Sequence, residues 1–286
     1  MIIVDKDKCT ACGLCVRICH QRCMALTDST VTINHELCST CTQCIAVCPE
    51  QALSWDRVPP VAYDEARLPS PEQLAELFKE RRTIRFFKED KMNRTLLEEI
   101  VGSGIYAPTT NYNLRAVVVD DEGLIEELER ISMKFHLRMY KLFVKPKIVF
   151  NLISRITPAL NPKIKAKFES RRRDFFSPAA MVFIVGDQRI HLSEPSAHYA
   201  LYNMILHAKV KGVGSCLWGA GKIALGRSEA AKERLGLHRD EHILGVLLLG
   251  YPAVKFRNKV QGKTLSIQWN GGQDILVGVE RVELGK

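Results

Sequence analysis

The chain has 286 residues, 46% of them hydrophobic, and a formal net charge of +9. Its length exceeds the usual size of one domain, so two domains are expected, with ample apolar material for a packed core. The positive balance raises nucleic-acid binding, but no nucleic-acid motif accompanies it, and residues 1–58 hold five Lys/Arg against six Asp/Glu, so no nucleic-acid partner is expected. No apolar run of about eighteen residues is present to span a membrane. The N-terminal stretch MIIVDKDKCT has neither signal-peptide nor transit-peptide composition. Nine of the ten cysteines precede residue 50, which argues against a secreted disulfide framework and for metal ligation in a reducing compartment. A cytoplasmic protein is the expectation.

The cysteines fall in two runs of one spacing, C-x2-C-x2-C-x3-C. The first is Cys9, Cys12, Cys15 and Cys19; the second is Cys38, Cys41, Cys44 and Cys48, followed by Pro49. The pattern resembles bacterial two-cluster ferredoxins, in which the fourth cysteine of each run ligates the other cluster. One 4Fe–4S cluster is therefore expected on Cys9, Cys12, Cys15 and Cys48, and the other on Cys38, Cys41, Cys44 and Cys19. Three thiolates of a tight loop can cap three irons of a cube, but the fourth corner needs a distant ligand. The runs form an internal repeat offset by twenty-nine residues, in which Val31 and Ile33 repeat Ile2 and Val4, and Leu53 repeats Met24. Cys23 falls where the second half has Ala52, which makes it a small buried residue rather than a ligand. His20 replaces the proline that follows the second run, in a backbone or water-facing role. Zinc is the alternative for C-x2-C pairs, but a four-ligand zinc site has no use for third cysteines at such regular positions.

Residues 56–70, with three prolines, read as a linker between an N-terminal unit of residues 1–55 and a second unit of residues 71–286. Ser70-Pro71 is an N-cap followed by proline at the first helical position. The helix PEQLAELFKERR that follows places Leu74, Leu77 and Phe78 on one face. It ends in Arg81-Arg82-Thr83-Ile84-Arg85, where three arginines and a hydroxyl could grip a phosphate monoester or could be a solvated basic helix end. A second helix spans about residues 95–106, capped by Asn93. The loop Ala107-Pro108-Thr109-Thr110-Asn111-Tyr112-Asn113 then leads into a strand over residues 116–119.

These two segments, in this order, resemble the R-R-S-x-R segment and the A-P-S/T-x-x-N loop of FMN-dependent nitroreductases. The resemblance implies an α+β domain with a mainly antiparallel sheet flanked by helices, holding FMN at a homodimer interface. It implies flavin contacts from Arg81, Arg82, Thr83, Arg85 and either Asn111 or Asn113. The Q-P-W that usually follows the loop is absent.

Residues 123–141 read as a long helix. Residues 141–173 carry ten Lys/Arg and one acid, Glu169, interleaved with apolar groups and three prolines. They suit a lid over a substrate pocket first, then a docking site for acidic partners or anionic substrates, then an interfacial membrane segment. Residues 180–185 are a buried strand, and residues 194–210 a helix with Ala197, Ala200, Leu201, Met204, Ile205 and Ala208 at i, i+3, i+4, i+7 spacing. Its Asn203–Ala208 stretch resembles the family helix that builds the dimer core. Gly212–Gly219 resembles the family loop whose backbone lies along the flavin, which assigns Leu217, Trp218 and Gly219 to the cofactor; Trp218 also suits a core position. Cys216 reads as a buried residue without a catalytic partner. Residues 243–249 are an apolar strand, and Gly250–Leu265 resembles the tail of nitroreductases that carry ferredoxin domains. The family's phosphate-binding arginine falls at Gly262, so Lys263 or Lys259 is expected to supply the charge.

The combination implies an iron–sulfur flavoprotein oxidoreductase with two 4Fe–4S clusters and FMN. Electrons would pass from the clusters to FMN and on to a small organic acceptor of nitro, quinone or enone type. Ferredoxin or NAD(P)H would be the donor. No side chain is singled out as catalytic; a bound water or Tyr112 could supply the proton. A non-catalytic electron-transfer module between redox carriers is the alternative, and a redox sensor a weaker one.

Overall fold

A computed structural model describes residues 1–108, 113–146, 176–260, 264–268, 270 and 275–278. Most of the basic 141–173 segment, Asn111, Tyr112, Lys263 and Trp269 lie outside the described residues.

The N-terminal unit is built twice from one plan. Strand β1 (Ile2–Val4) pairs antiparallel with β4 (Leu53–Trp55), and β2 (Met24–Leu26) with β3 (Val31–Ile33). Short helices α1 (Leu14–Ile18) and α2 (Gln43–Ala46) follow the first cysteines of each run. Ile2, Met24, Val31 and Leu53, the apolar members of the repeat, are buried together with Cys15, Cys23 and Cys44. The backbone repeats as closely as the side chains. Asp5 N–H donates to the Ala52 carbonyl at 2.7 Å, and twenty-nine residues on, Asn34 N–H donates to the Cys23 carbonyl at 2.7 Å. Left-handed residues recur at the same offset: Ala11 and Thr40, Gly13 and Thr42, Arg22 and Gln51, all with φ between 51° and 75°. Five of these six are not glycine, and each such residue strains the chain by about 1–2 kcal/mol. Strain repeated at matched positions marks a backbone held for a purpose rather than a chance turn.

Residues 56–70 carry no regular element beyond a 3-10 turn at Glu65–Arg67, and Val61, Tyr63 and Leu68 in them are exposed. Helix α3 (Pro71–Glu80) starts on the expected cap: the Gln73 N–H donates to Ser70 Oγ at 3.2 Å, and the Ser70 N–H to Gln73 Oε1 at 2.9 Å. Its predicted apolar face is not buried, since Leu74 and Phe78 stay exposed. Asn93 caps α4 (Arg94–Gly102), which tightens into a 3-10 turn at Ser103–Tyr106 where Gly102 and Gly104 interrupt it. Asp121 caps α5 (Glu122–Met139), which runs into a π turn over Tyr140–Val144.

Four strands form the main sheet: β5 (Arg115–Val119), β6 (Ala180–Gly186), β7 (Gly214–Leu217) and β8 (His242–Gly250), in the order β5-β6-β8-β7 with every pair antiparallel. Side chains alternate across a strand, so β6 sends Ala180, Val182 and Ile184 to one face and Met181, Phe183 and Val185 to the other. The first face is covered by α4 and the long α6 (Ser193–Val210), the second by α5, α7 (Gly219–Leu225) and α8 (Glu229–Arg234). That double cover explains why both central strands read as unbroken apolar runs. Helices α7 and α8 and the hairpin of β9 (Thr264–Ile267) with β10 (Ile275–Gly278) were not foreseen from the sequence. Among the described residues no helix is long and apolar enough to cross a membrane.

Within the second face sits a carboxyl group, Glu129 of α5. Its Oε1 accepts the Phe176 N–H at 2.9 Å, while Oε2 is buried without a partner. Burial raises the carboxyl above its ordinary value, although backbone amides at Phe176 and Ser177 oppose the shift. The folded chain thus binds this proton more tightly than the unfolded one. The associated stability is fully present below the ordinary carboxyl value and is lost as pH rises through the raised one. Glu129→Gln keeps the acceptor and removes the charge. Its Tm should match the parent's near about pH 4 and exceed it increasingly toward about pH 8. Thermal unfolding across that range checks this; a pH-independent difference would contradict it.

Candidate functional site

Two cavities open in the N-terminal unit, and the cysteines line them crosswise. Cys9, Cys12, Cys15 and Cys48 line one of about 300 Å³. Cys38, Cys41, Cys44 and Cys19 line the other, of about 360 Å³, together with Cys23. The antiparallel pairings and the reciprocal amide bonds bring the fourth cysteine of each run to the opposite cavity. Among the described residues no three His, Cys, Asp or Glu side chains converge on a single-ion centre. All ten cysteines are free thiols.

The backbone also serves these thiols. The Ala52 N–H donates to Cys48 Sγ at 3.3 Å. The Ala11 amide, on one of the left-handed residues, does most to lower the Cys9 thiol, with help from the Thr30 hydroxyl. Burial works the other way at Cys15, and pushes Cys44 up to about 11. Thr30 Oγ1 is buried yet makes no hydrogen bond of ordinary geometry. An orphaned hydroxyl beside Cys9 fits a site that receives additional sulfur when loaded.

The second site is a groove across one end of the main sheet. The segment after α3 threads past the ends of β7 and β8. Thr83 bridges Ser215, the Ile84 N–H donates to the Ser215 carbonyl at 2.9 Å, and the Lys88 N–H to the Tyr251 carbonyl at 2.8 Å. Gly214 makes this approach possible: a Cβ there would lie 2.9 Å from Ile84 Cγ1. The resulting groove, of about 1490 Å³, is lined by Lys79, Arg81, Arg82, Lys88, Lys209, Lys255, Arg257 and Lys259, with Glu80 the one acid among its lining residues. Lys209 pairs with Glu80 at 2.9 Å and Lys259 with Glu76 at 2.7 Å. Among the described residues Arg81, Lys88, Lys255 and Arg257 make no ion pair. An electropositive groove with free cations has the charge that a phosphate-bearing ligand requires.

The remaining site residues fall variously. Arg82 lines the groove, but its Nη1 also donates to the Lys79 and Arg81 carbonyls at 2.6 and 2.9 Å, finishing the helix. Thr83 is half-buried in the bridge to Ser215, and Arg85 is exposed beside Cys216; neither lines the groove. Cys216 is buried, and burial raises its thiol. Leu217 stands 46% exposed farther along β7. The Trp218 ring takes the core position: it is buried, meets Phe176 edge-on at 5.9 Å, and fills the space a Cβ of Gly221 would need. Gly219 has open space around it. Asn113 donates to Ser193 Oγ at 2.9 Å and precedes Arg115, the partner of Val185. It sits a strand length of about 20 Å from the groove, so one chain does not bring Asn113 and Arg81 together. Lys79, Lys88, Lys209, Lys255 and Arg257 were missed because they are scattered in sequence; the run Lys255-Phe256-Arg257 was the available signal.

With both sites described, comparison with known proteins places the chain. The nitroreductase family model matches residues 78–251, and the chain belongs to the nitroreductase family. A 4Fe–4S binding domain model matches residues 31–54. A nitroreductase with bound FMN from Bacteroides fragilis is 21% identical, with a TM-score of 0.51 over 69% of this chain and 99% of that one. One with bound FMN from Desulfitobacterium hafniense is 18% identical, with a TM-score of 0.52 over 65% and 92%. An iodotyrosine deiodinase bound to FMN and 3-iodo-L-tyrosine is 20% identical, with a TM-score of 0.50 over 69% and 98%. These likenesses show the fold. No curated protein matches the chain.

The threading of residues 83–88 yields a direct test. Gly214→Ala should lower stability by about 1–3 kcal/mol through overpacking against Ile84. Ile84→Ala in the same chain should recover part of that loss in denaturant titrations. An unchanged midpoint for Gly214→Ala would contradict the packing described.

Proposed function

We propose that this chain is an iron–sulfur flavoprotein oxidoreductase, with two 4Fe–4S clusters in the cysteine cavities and FMN phosphate in the basic groove. The observation that carries the proposal is the crosswise sharing of eight cysteines between two cavities, in a chain whose second unit offers unpaired cations for a phosphate. Cys9, Cys12, Cys15 and Cys48 would hold one cluster, and Cys38, Cys41, Cys44 and Cys19 the other. Arg81, Lys88, Lys255 and Arg257 are the cations free to grip the phosphate. Lys263 and Asn111 remain part of the proposal on the family resemblance, and so do Thr83 and Arg85. When bound, the clusters supply single electrons and FMN converts them to the two-electron reduction of a small organic acceptor of nitro, quinone or enone type. The chain's own work is to hold both groups, neutralise the phosphate and keep the thiolates shielded. Ferredoxin or NAD(P)H is the proposed donor, and thiolate ligation suits the reducing cytoplasm.

A homodimer belongs to the same proposal. Helix α6 buries Ala197, Leu201 and Met204 on one side, yet carries Tyr199 at 53%, Tyr202 at 44% and Val210 at 69% exposure on the other. Ile105 and Tyr106, just after α4, are exposed as well. Apolar exposure of this extent suits a protein partner, and a second copy could carry the loop before β5 to the first copy's groove.

Anaerobic preparation with iron and flavin quantified tests the reading. About eight irons and one FMN per chain are expected. Arg81→Ala and Arg257→Ala should each weaken FMN binding on the order of tenfold by removing a charge-assisted contact, with iron unchanged. Four irons, zinc in their place, or a chain that binds no flavin would overturn it.

A further inference from the structure

Beside each cysteine cavity stands one buried side chain that is outside the proposed ligand set and carries a hydrogen-bond donor. In the cavity of Cys19, Cys38, Cys41 and Cys44 it is Cys23, whose Sγ lies 3.4 Å from Cys19 Sγ. A cysteine sulfur bound to iron carries no proton, so within this pair Cys23 must be the donor. In the other half the repeat places Ala52, which offers Cys48 only its backbone N–H, at 3.3 Å. Next to Val31, which lines that cavity, stands Thr30, whose buried hydroxyl makes no hydrogen bond among the described residues and is therefore free to turn to the Cys9 sulfur. The equivalent residue in the repeat, Met1, has no hydroxyl and is exposed. The two halves are therefore nearly superposable in backbone and thiols but use chemically different donors from unmatched positions.

Reduction adds negative charge to a cluster and its thiolates, and a donor to sulfur stabilises that charge, which raises the reduction potential. We infer that Cys23 and Thr30 are positioning residues, each setting the potential of one cluster: Cys23 that of the cluster on Cys19, Cys38, Cys41 and Cys44, and Thr30 that of the cluster on Cys9, Cys12, Cys15 and Cys48. The inference rests on the two-cluster reading above. It gives a pseudo-symmetric pair of centres two independent adjustments, one per half.

The test is an anaerobic redox titration of the full loaded chain, followed by electron paramagnetic resonance, with iron counted in parallel. Cys23→Ala copies the residue the other half already carries. It should keep the parent's iron content, move one potential to a more negative value and leave the other in place. Cys23→Ser retains a donor and should shift that potential less. Thr30→Val should move the other potential negative, and Thr30→Ser should restore it. Full iron with both potentials unmoved, or both moving together in either variant, would overturn the inference while leaving the two-cluster reading standing. Iron lost in Cys23→Ala would make Cys23 a ligand and overturn it too. A parent chain with about half the iron of two cubane clusters would instead sink the two-cluster reading and the inference with it.

Discussion

Strand β8 carries hydrogen bonds along both edges and apolar side chains on both faces, and the larger unit depends on its burial. Leu244, Leu247 and Leu249 pack under α4 and α6, while Ile243, Val246 and Leu248 pack under α5, α7 and α8. Its end at Gly250 and Tyr251 then receives the segment from α3. Because β8 is fixed from four sides, the three chain segments that emerge at this end are held close enough to gather cations into one groove. Like charges gathered this way repel one another, and a bound anion relieves that repulsion. The groove is thus a consequence of sheet packing, and its electrostatics favour an anion.

The N-terminal unit solves a different problem. Its core is small and much of it is sulfur, so apolar burial alone supplies little stability. The chain nevertheless holds non-glycine residues in left-handed conformations at matched positions of both loops. Such strain persists only when the surroundings over-determine it. On the proposed reading cluster ligation would provide that surplus, because binding free energy at a metal centre becomes folding free energy. The duplicated plan explains how the fourth thiol of each run reaches the opposite cavity: the reciprocal Asp5–Ala52 and Asn34–Cys23 bonds tie the start of each half to the end of the other.

Much of this was legible in the sequence, for physical reasons. The regular cysteine spacing named in advance the eight thiols that line the two cavities, because the internal repeat fixes which end of each half meets the other. Unbroken apolar runs marked β6 and β8, and Ser70, Asn93 and Asp121 marked helix starts through local side-chain caps. What failed to show depends on distance in sequence. Lys209 and Lys255 meet Arg81 only through the sheet. Trp218 follows a glycine-rich pattern that suits a ligand, but Gly221, three residues on, gives its ring a place in the core. Asn113 resembles a flavin contact by motif, yet strand register carries it to the far end of β5. Helix α3 looked amphipathic, but among the described residues Leu74 and Phe78 on its apolar side stay exposed and only Leu77 is half-buried.

On the proposed function, electrons reach the flavin through the attached clusters. Anaerobic stopped-flow measurement of flavin reduction by reduced ferredoxin tests it most directly, comparing the parent with Cys48→Ser. That variant should lose a cluster while keeping its flavin. Flavin reduction is expected to be slower in the variant, on the order of tenfold or more. Equal rates, with the cluster shown to be absent and the flavin present, would contradict it.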